Sequence, residues 1–396
     1  MNILIAHNFY KIPGGEDVAA DNERRLLEEA GHKVIWYTRH NDELDRMPLY
    51  QKLMLPLSFV YSQKTVREVR TLIRQEKIDI VMVHNTLLLI SPSIYYAAVR
   101  ENVPVLQTIH NFRLLCPGAT FYREGHICED CTHGGLLPAL RHRCYRGSRF
   151  MTLACAFCLH YHRWRGIYRK LFYICLTEFN RQKLLTAGGF LGINPDRVFV
   201  KPNFTRIEGE IVPYAKRGRY MLYAGRLDET KGIPELLKAW TRLGEEAPEL
   251  KICGNGPLAP WCREYLADHK TAKVSLSGSL PHEEVLKLIG NAQALLLPSK
   301  WYEGLPMVIV EAFMLGTPVI GSGIGNVGEA VSSEKLGRRI GMTGDADQLA
   351  AAIAEAVVSF RETFRYEEEA FREAAARYSA EENLKILERI FQDIRI

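Results

Sequence analysis

Short apolar runs of β-forming residues alternate, twice over, with longer segments whose apolar residues recur three and four positions apart. In the first half the runs are Asn2–Ala6, Lys33–Tyr37, Ile78–Val83, Val103–Ile109, Phe172–Leu176 and Val198–Lys201. In the second they are Tyr220–Ala224, Leu250–Cys253, Lys273–Leu276, Ala292–Leu297 and Pro318–Gly321. Between them lie segments of helical spacing such as Asp17–Ala30, Ile233–Leu243, His282–Gly290 and Met307–Leu315. Strand–helix alternation predicts parallel sheets with right-handed crossovers, hence an α/β chain of two doubly wound domains. The polar stretch from Pro202-Asn203-Phe204 to Lys216-Arg217-Gly218 breaks both periods and marks the junction. The expected division is 1–203, 204–378 and a closing amphipathic helix in 379–396 that crosses back to pack on the first domain.

Composition adds exclusions. With 396 residues, 47% hydrophobic and 24% charged, the chain is of ordinary globular make-up, long enough for two cores. No apolar run approaches the roughly 18 residues of a membrane-spanning helix. MNILIAHNFYK reads as a first strand rather than a secretory leader. A cytoplasmic location is therefore expected, with peripheral attachment to the inner face of a membrane as an extension of it. The net charge of +5 conceals an asymmetry. Residues 1–203 carry 27 Lys and Arg against 18 Asp and Glu, whereas the remainder carries 24 against 28.

Ligands of open parallel sheets sit beyond the carboxyl ends of strands, and two such sheets facing each other would place a cleft between the domains. The richest strand end follows Ala292–Leu297. There Lys300-Trp301-Tyr302-Glu303-Gly304-Leu305-Pro306 leads into a helix from Met307 that carries Glu311. Backbone N–H groups near Met307 suit a phosphate, and the two carboxylates suit sugar and ribose hydroxyls. After Tyr220–Ala224 comes Gly225-Arg226, with Lys231 five residues on, able to direct a fork and a point charge at one diphosphate. Gly254-Asn255-Gly256 follows a third strand, where glycine permits close backbone approach to a ligand. In the first half, Asn2–Ala6 runs into Pro13-Gly14-Gly15-Glu16, and His110-Asn111 ends another strand. Taken singly, a tight turn and a structural histidine explain those two equally well. The G-x-G-x-x-G fingerprint is absent, against a dinucleotide oxidoreductase.

In this order the motifs resemble the retaining glycosyltransferases of family 4, densely over about 219–345 and sparsely over 1–203. The resemblance implies the GT-B fold, two Rossmann-like domains facing across a cleft. It also implies retaining transfer from a nucleotide diphosphate sugar, a UDP- or GDP-sugar, to a sugar or lipid-linked acceptor. Carried over by position, Arg226 and Lys231 neutralise the leaving diphosphate, Glu303 binds the donor sugar and His110 lines its pocket. Glu311 accepts from the ribose. Gly14 and Gly15 meet the distal phosphate, and Leu280 meets the base edge. Gly225, Gly254, Gly304, Leu305 and Met307 complete the nucleotide-sugar site. No cofactor is implied for the transfer. Many relatives carry Asp where this chain has Asn111. Rival readings are a nucleotide-sugar epimerase or phosphorylase on the same fold, and a non-catalytic binding protein.

Six cysteines fall between Cys116 and Cys158. Cys128-x2-Cys131, flanked by Cys116 and Cys144, has zinc-knuckle spacing, so a structural zinc stands beside plain thiols or a disulfide pair. Cys155 and Cys158, in an apolar stretch, are expected to pack as hydrophobes. Eight Lys and Arg lie between Arg141 and Lys170, interleaved with aromatics, and no acid occurs from Thr132 to Thr177. That insertion, about 113–170, suits an anionic membrane surface carrying a lipid-linked acceptor; nucleic acid is disfavoured, and a solvated face is the plainer alternative.

Overall fold

A computed structural model of the chain describes all residues except 12–13, 134, 187–188, 208–210, 270–272 and 395–396, together with the side chains of 49–54. Pro13 of the paired-glycine motif thus lies outside the described residues. The chain divides into two compact units, one of 1–121, 129–203 and 383–396, the other of 122–128 and 204–382.

The first unit holds a six-stranded sheet. Its strands are β1 (Asn2–Phe9), β2 (Lys33–His40), β3 (Ile80–Asn85) and β4 (Val105–Ile109), then β7 (Phe172–Cys175) and β8 (Val198–Val200). The intervening β5 (Tyr122–Arg123) and β6 (His126–Ile127) form a separate antiparallel hairpin. The sheet order is β2-β1-β3-β4-β7-β8, all parallel. β3 and β4 are buried at every position, as strands covered by helices on both faces must be, although β3 ends in His84-Asn85 and β4 carries Gln107-Thr108.

The second unit repeats the design. Its strands are β9 (Tyr220–Ala224), β10 (Glu249–Cys253), β11 (Val274–Gly278), β12 (Ala294–Leu297), β13 (Val319–Ser322) and β14 (Gly337–Ile340), in the parallel order β11-β10-β9-β12-β13-β14. In both sheets the order reverses once, between β1 and β3 and between β9 and β12. At each reversal the connections leave to opposite sides and open a crevice at the carboxyl ends.

The closing helix, Ala380–Ile394, buries Leu387, Ile390, Phe391 and Ile394 at three- and four-residue spacing. From Asn383 onward it belongs to the first unit, where Asn383 Oδ1 accepts from Lys201 Nζ at 3.1 Å.

The cysteine segment departs from the zinc expectation. Among the described residues no three His, Cys, Asp or Glu side chains are grouped to hold a metal ion. Cys131 is buried within the 3-10 turn Asp130–His133, and Cys128 follows the β5–β6 hairpin. A zinc site of Cys116, Cys128, Cys131 and Cys144 therefore finds no support. Cys155 and Cys158 are packed in a core cluster with Phe59, Val60, Leu88, Leu89 and Tyr145.

Candidate functional site

In the second unit, residues following β9 and β12 converge at the sheet reversal. Asp228 builds the loop after β9. Its Oδ1 accepts from Lys231 N–H at 3.1 Å and Thr230 Oγ at 2.6 Å, winding a 3-10 turn that points Lys231 across the crevice. Lys231 Nζ lies 2.6 Å from Glu303 Oε1, and that oxygen also accepts from Ser299 Oγ at 2.6 Å and Trp301 Nε1 at 2.9 Å. Asn326 Nδ2 donates to the Glu303 carbonyl at 2.7 Å, pinning the backbone as well. The Glu303 carboxylate is thus held in one position in a nearly dry site. Arg226 differs: its side chain is 64% exposed, with Nε 2.5 Å from Asp228 Oδ2.

Glu311 lies on the helix Met307–Met314, whose Pro306 cap supplies no side-chain acceptor, so the first N–H groups lack a side-chain partner. The buried Glu311 carboxylate receives His282 Nε2 at 2.9 Å, and this hydrogen bond is the chief cause that raises the His282 pKa. Leu305 and Met307 are buried. Gly304 lies in the loop that joins Glu303 to this helix, and Leu280 is half-buried after β11.

Gly254 departs from the expected use of glycine. Its φ is +137°, and a Cβ there would stand 1.9 Å from the Gly225 carbonyl oxygen. Its hydrogen side chain serves the packing of one strand-end loop on another, which holds Gly225-Arg226 in place. Gly254→Ala should therefore cost about 3 kcal/mol or more and move Arg226, measurable as a lowered melting temperature together with weaker nucleotide binding. Unchanged melting would contradict the assignment.

In the first unit, Gly14 caps the helix Gly15–Glu29 in an extended conformation that any residue adopts, with open space where a Cβ would be. Its N–H is engaged by Asp17 Oδ2 at 2.8 Å. Gly15, first in the helix, offers the amide without an intrahelical acceptor. Glu16, which the sequence left without a role, stands beside the end of β4. Its Oε2 accepts from Tyr10 at 3.1 Å and Asn111 Nδ2 at 3.5 Å, while Oε1 is buried with no partner among the described residues. The acidic group absent at position 111 is thus present next to it. Burial pushes the Glu16 pKa from 4.5 up to about 7, only partly opposed by the Tyr10 hydrogen bond. Its protonated form is the stable buried form, so Glu16 supports folding fully below about pH 4.5 and progressively less as pH rises through about 7. Glu16→Gln should abolish this loss, raising the melting temperature at pH 8 relative to wild type but not at pH 4.

His110, immediately after β4, lines a pocket with His84, Tyr95, Gln107, Asn111 and Arg113. Burial, and then His84, push the His110 pKa well below the usual histidine value, so the ring is neutral near pH 7. Sequence reasoning missed His84 and its buried partner Glu23; both sit at the other sheet reversal, a position visible only once strand order is known.

The basic insertion contains the helix Arg149–Trp164, buried on one face through Thr152, Cys155, Ala156, Cys158, Leu159 and His162. Phe150, Leu153, Phe157 and Trp164 are 54–73% exposed, and so are Leu57 and Leu137 on the two helices packed against it, at 64% and 77%. No helix among the described residues is long and apolar enough to cross a membrane.

Two family models match consecutive parts of the chain: Glycosyltransferase Family 4 over residues 13–208 and Glycosyl transferases group 1 over 208–374. A glycogen synthase of Mycobacterium tuberculosis (strain CDC 1551 / Oshkosh) is 37% identical over 120 residues, 30% of this chain and 29% of that protein. The match thus spans under a third of the relative's own length. An apo lipopolysaccharide outer core galactosyltransferase, WaaB, superposes with a TM-score of 0.64 at 18% identity, covering 98% of this chain and 99% of its own. Anabaena Alr3699/HepE in complex with UDP-glucose gives 0.62 at 15% identity, covering 100% and 99%. With both of its sheets matched in order by the two halves of one enzyme family, the chain belongs to the family 4 glycosyltransferases and has their GT-B fold.

Proposed function

We propose that the protein transfers a sugar, with retention of anomeric configuration, from a UDP- or GDP-sugar to a sugar or lipid-linked acceptor in surface polysaccharide or glycolipid assembly. The observation that carries this reading is the Lys231–Glu303 ion pair at the β9/β12 reversal, with Arg226 on the same loop as Lys231 and Glu311 on the helix that follows β12. Arg226 meets the diphosphate as an exposed fork and Lys231 as a point charge, so both oppose the negative charge that grows on the leaving group. Glu303 gives up part of its contact with Lys231 to take a donor-sugar hydroxyl. Glu311 takes the ribose hydroxyls, sharing its carboxylate with His282. The uncapped helix start at Met307 and the Gly15 amide add N–H donors for phosphate oxygens, and His110 lines the sugar pocket. The HepE neighbour, described in complex with UDP-glucose, supports a nucleotide-sugar donor.

Nucleoside diphosphate release from a panel of UDP- and GDP-sugars, with membrane lipid extract as acceptor source, tests the reading. It expects one donor to be consumed by the wild type and scarcely by Lys231→Ala. Release from none of them by folded protein would overturn it.

The exposed apolar stripe Phe150, Leu153, Phe157 and Trp164, set among Arg146, Arg149, Arg165 and Arg169, supports peripheral binding to an anionic bilayer. In flotation with vesicles containing phosphatidylglycerol, the wild type should float and Phe157→Ser/Trp164→Ser should not. Flotation equal on neutral vesicles would contradict the electrostatic part.

A further inference from the structure

Three buried groups of the first unit, Lys201, Glu23 and His84, form one chain that ends on the half-buried His110 at the pocket. Lys201 Nζ lies 2.6 Å from Glu23 Oε2, and both side chains are 3% exposed. Glu23 Oε1 lies 3.3 Å from His84 Nε2, and neither atom has a better partner among the described residues. His84 Nδ1 lies 2.9 Å from His110 Nε2, and the two rings stack at 5.2 Å. Gln107 Nε2 holds the His84 carbonyl at 3.1 Å.

We propose that Glu23 and His84 are positioning residues that fix the proton of His110 on Nε2, so that Nδ1 faces the pocket as a hydrogen-bond acceptor for a hydroxyl of the donor sugar. The second half rests on His110 lining the sugar pocket, as read above. The first half follows from proton counting. An ionised carboxylate has only acceptor oxygens, so the ring nitrogen facing Glu23 must carry a hydrogen. A neutral His84 protonated at Nε2 has a lone pair at Nδ1. His110 Nε2 must then donate to it, which leaves His110 Nδ1 bare. Nε2 of His110 being engaged, Nδ1 is the nitrogen left for a ligand.

Side-chain 15N NMR of the full-length histidine-labelled protein tests this on the unaltered molecule, His110 being identified by the signal lost in His110→Ala. The expected result at pH 7.5 is His110 protonated at Nε2 and bare at Nδ1. His110 protonated at Nδ1 would overturn the proposal. A kinetic arm uses His84→Phe, which keeps a ring in the site without an acceptor nitrogen. In UDP-glucose and GDP-mannose turnover, kcat should fall about tenfold. UDP or GDP affinity should stay unchanged. An unaltered kcat in folded His84→Phe overturns the positioning role. Full turnover in His110→Ala, with the NMR result as expected, overturns the sugar-pocket reading on which the second half rests and leaves the proton assignment standing.

Discussion

Replacing Arg226 by alanine should lower turnover about a hundredfold with no change in melting temperature. The expectation separates catalysis from folding because the Arg226 side chain is 64% exposed and pairs with Asp228 at the surface of its loop. Exposed ion pairs contribute at most about 1 kcal/mol to stability. Toward a diphosphate the same guanidinium acts where charge develops, in a site already dry around Glu303, and there a positioned cation is worth a few kcal/mol. Arg226→Lys should recover only part of the loss, since an ammonium lacks the two-pronged geometry. Steady-state kinetics beside a thermal melt reads both quantities. Full activity in Arg226→Ala would remove Arg226 from the site, and a large fall in melting temperature would make it a structural residue instead.

The second large effect concerns stability. Glu23→Ala should destabilise the protein by about 3–5 kcal/mol, because it strands Lys201 in a site that is 3% exposed. For a unit of this size that corresponds to a fall of roughly 10 °C in melting temperature. Burial alone would raise the Glu23 pKa, but Lys201 and then His84 outweigh it and hold the carboxyl well below the usual carboxylate range. The folded state thus keeps Glu23 charged where the unfolded chain takes up a proton. Its contribution is present above the unfolded value of about 4.5 and is lost as pH falls below it. Thermal melts from pH 7 to pH 3 should show wild type and Glu23→Ala converging on acidification. A gap that stays constant with pH would show that the loss comes from packing rather than from the ion pair.

Much of the architecture was legible because parallel strands buried on both faces are largely apolar runs. Eleven strand runs anticipated from the sequence correspond to strands, with ends moved by at most three residues and Tyr220–Ala224 unmoved. β14 escaped because Gly337–Ile340 carries two arginines and lies at the sheet edge, where covering is incomplete. The hairpin of β5 and β6 escaped because two-residue strands carry no period, and its membership of the second unit rests on packing across a long stretch of chain.

The donor-side residues were legible for a different reason. Gly225-Arg226, Lys231, Glu303 and Glu311 follow strands at short range, so spacing alone locates them. Glu23, His84 and Lys201 were not legible, since they come from a helix, β3 and the end of β8 and meet only through the strand order. His282 was hidden likewise, contributed by the helix after β11 to a carboxylate on another helix. The cysteine pair Cys128-x2-Cys131 shows the converse. Spacing suggested a metal knuckle, yet among the described residues no three His, Cys, Asp or Glu side chains are grouped to hold a metal ion.

The central claim, a nucleotide-sugar site at the β9/β12 reversal, is tested most directly by calorimetric titration with UDP, GDP, ADP and dTDP, for the wild type and Glu311→Ala. The account expects one of these diphosphates to bind, and Glu311→Ala, deprived of its ribose acceptor, to bind it at least tenfold more weakly. Binding of none of the four by folded protein, or equal binding by Glu311→Ala, would contradict it.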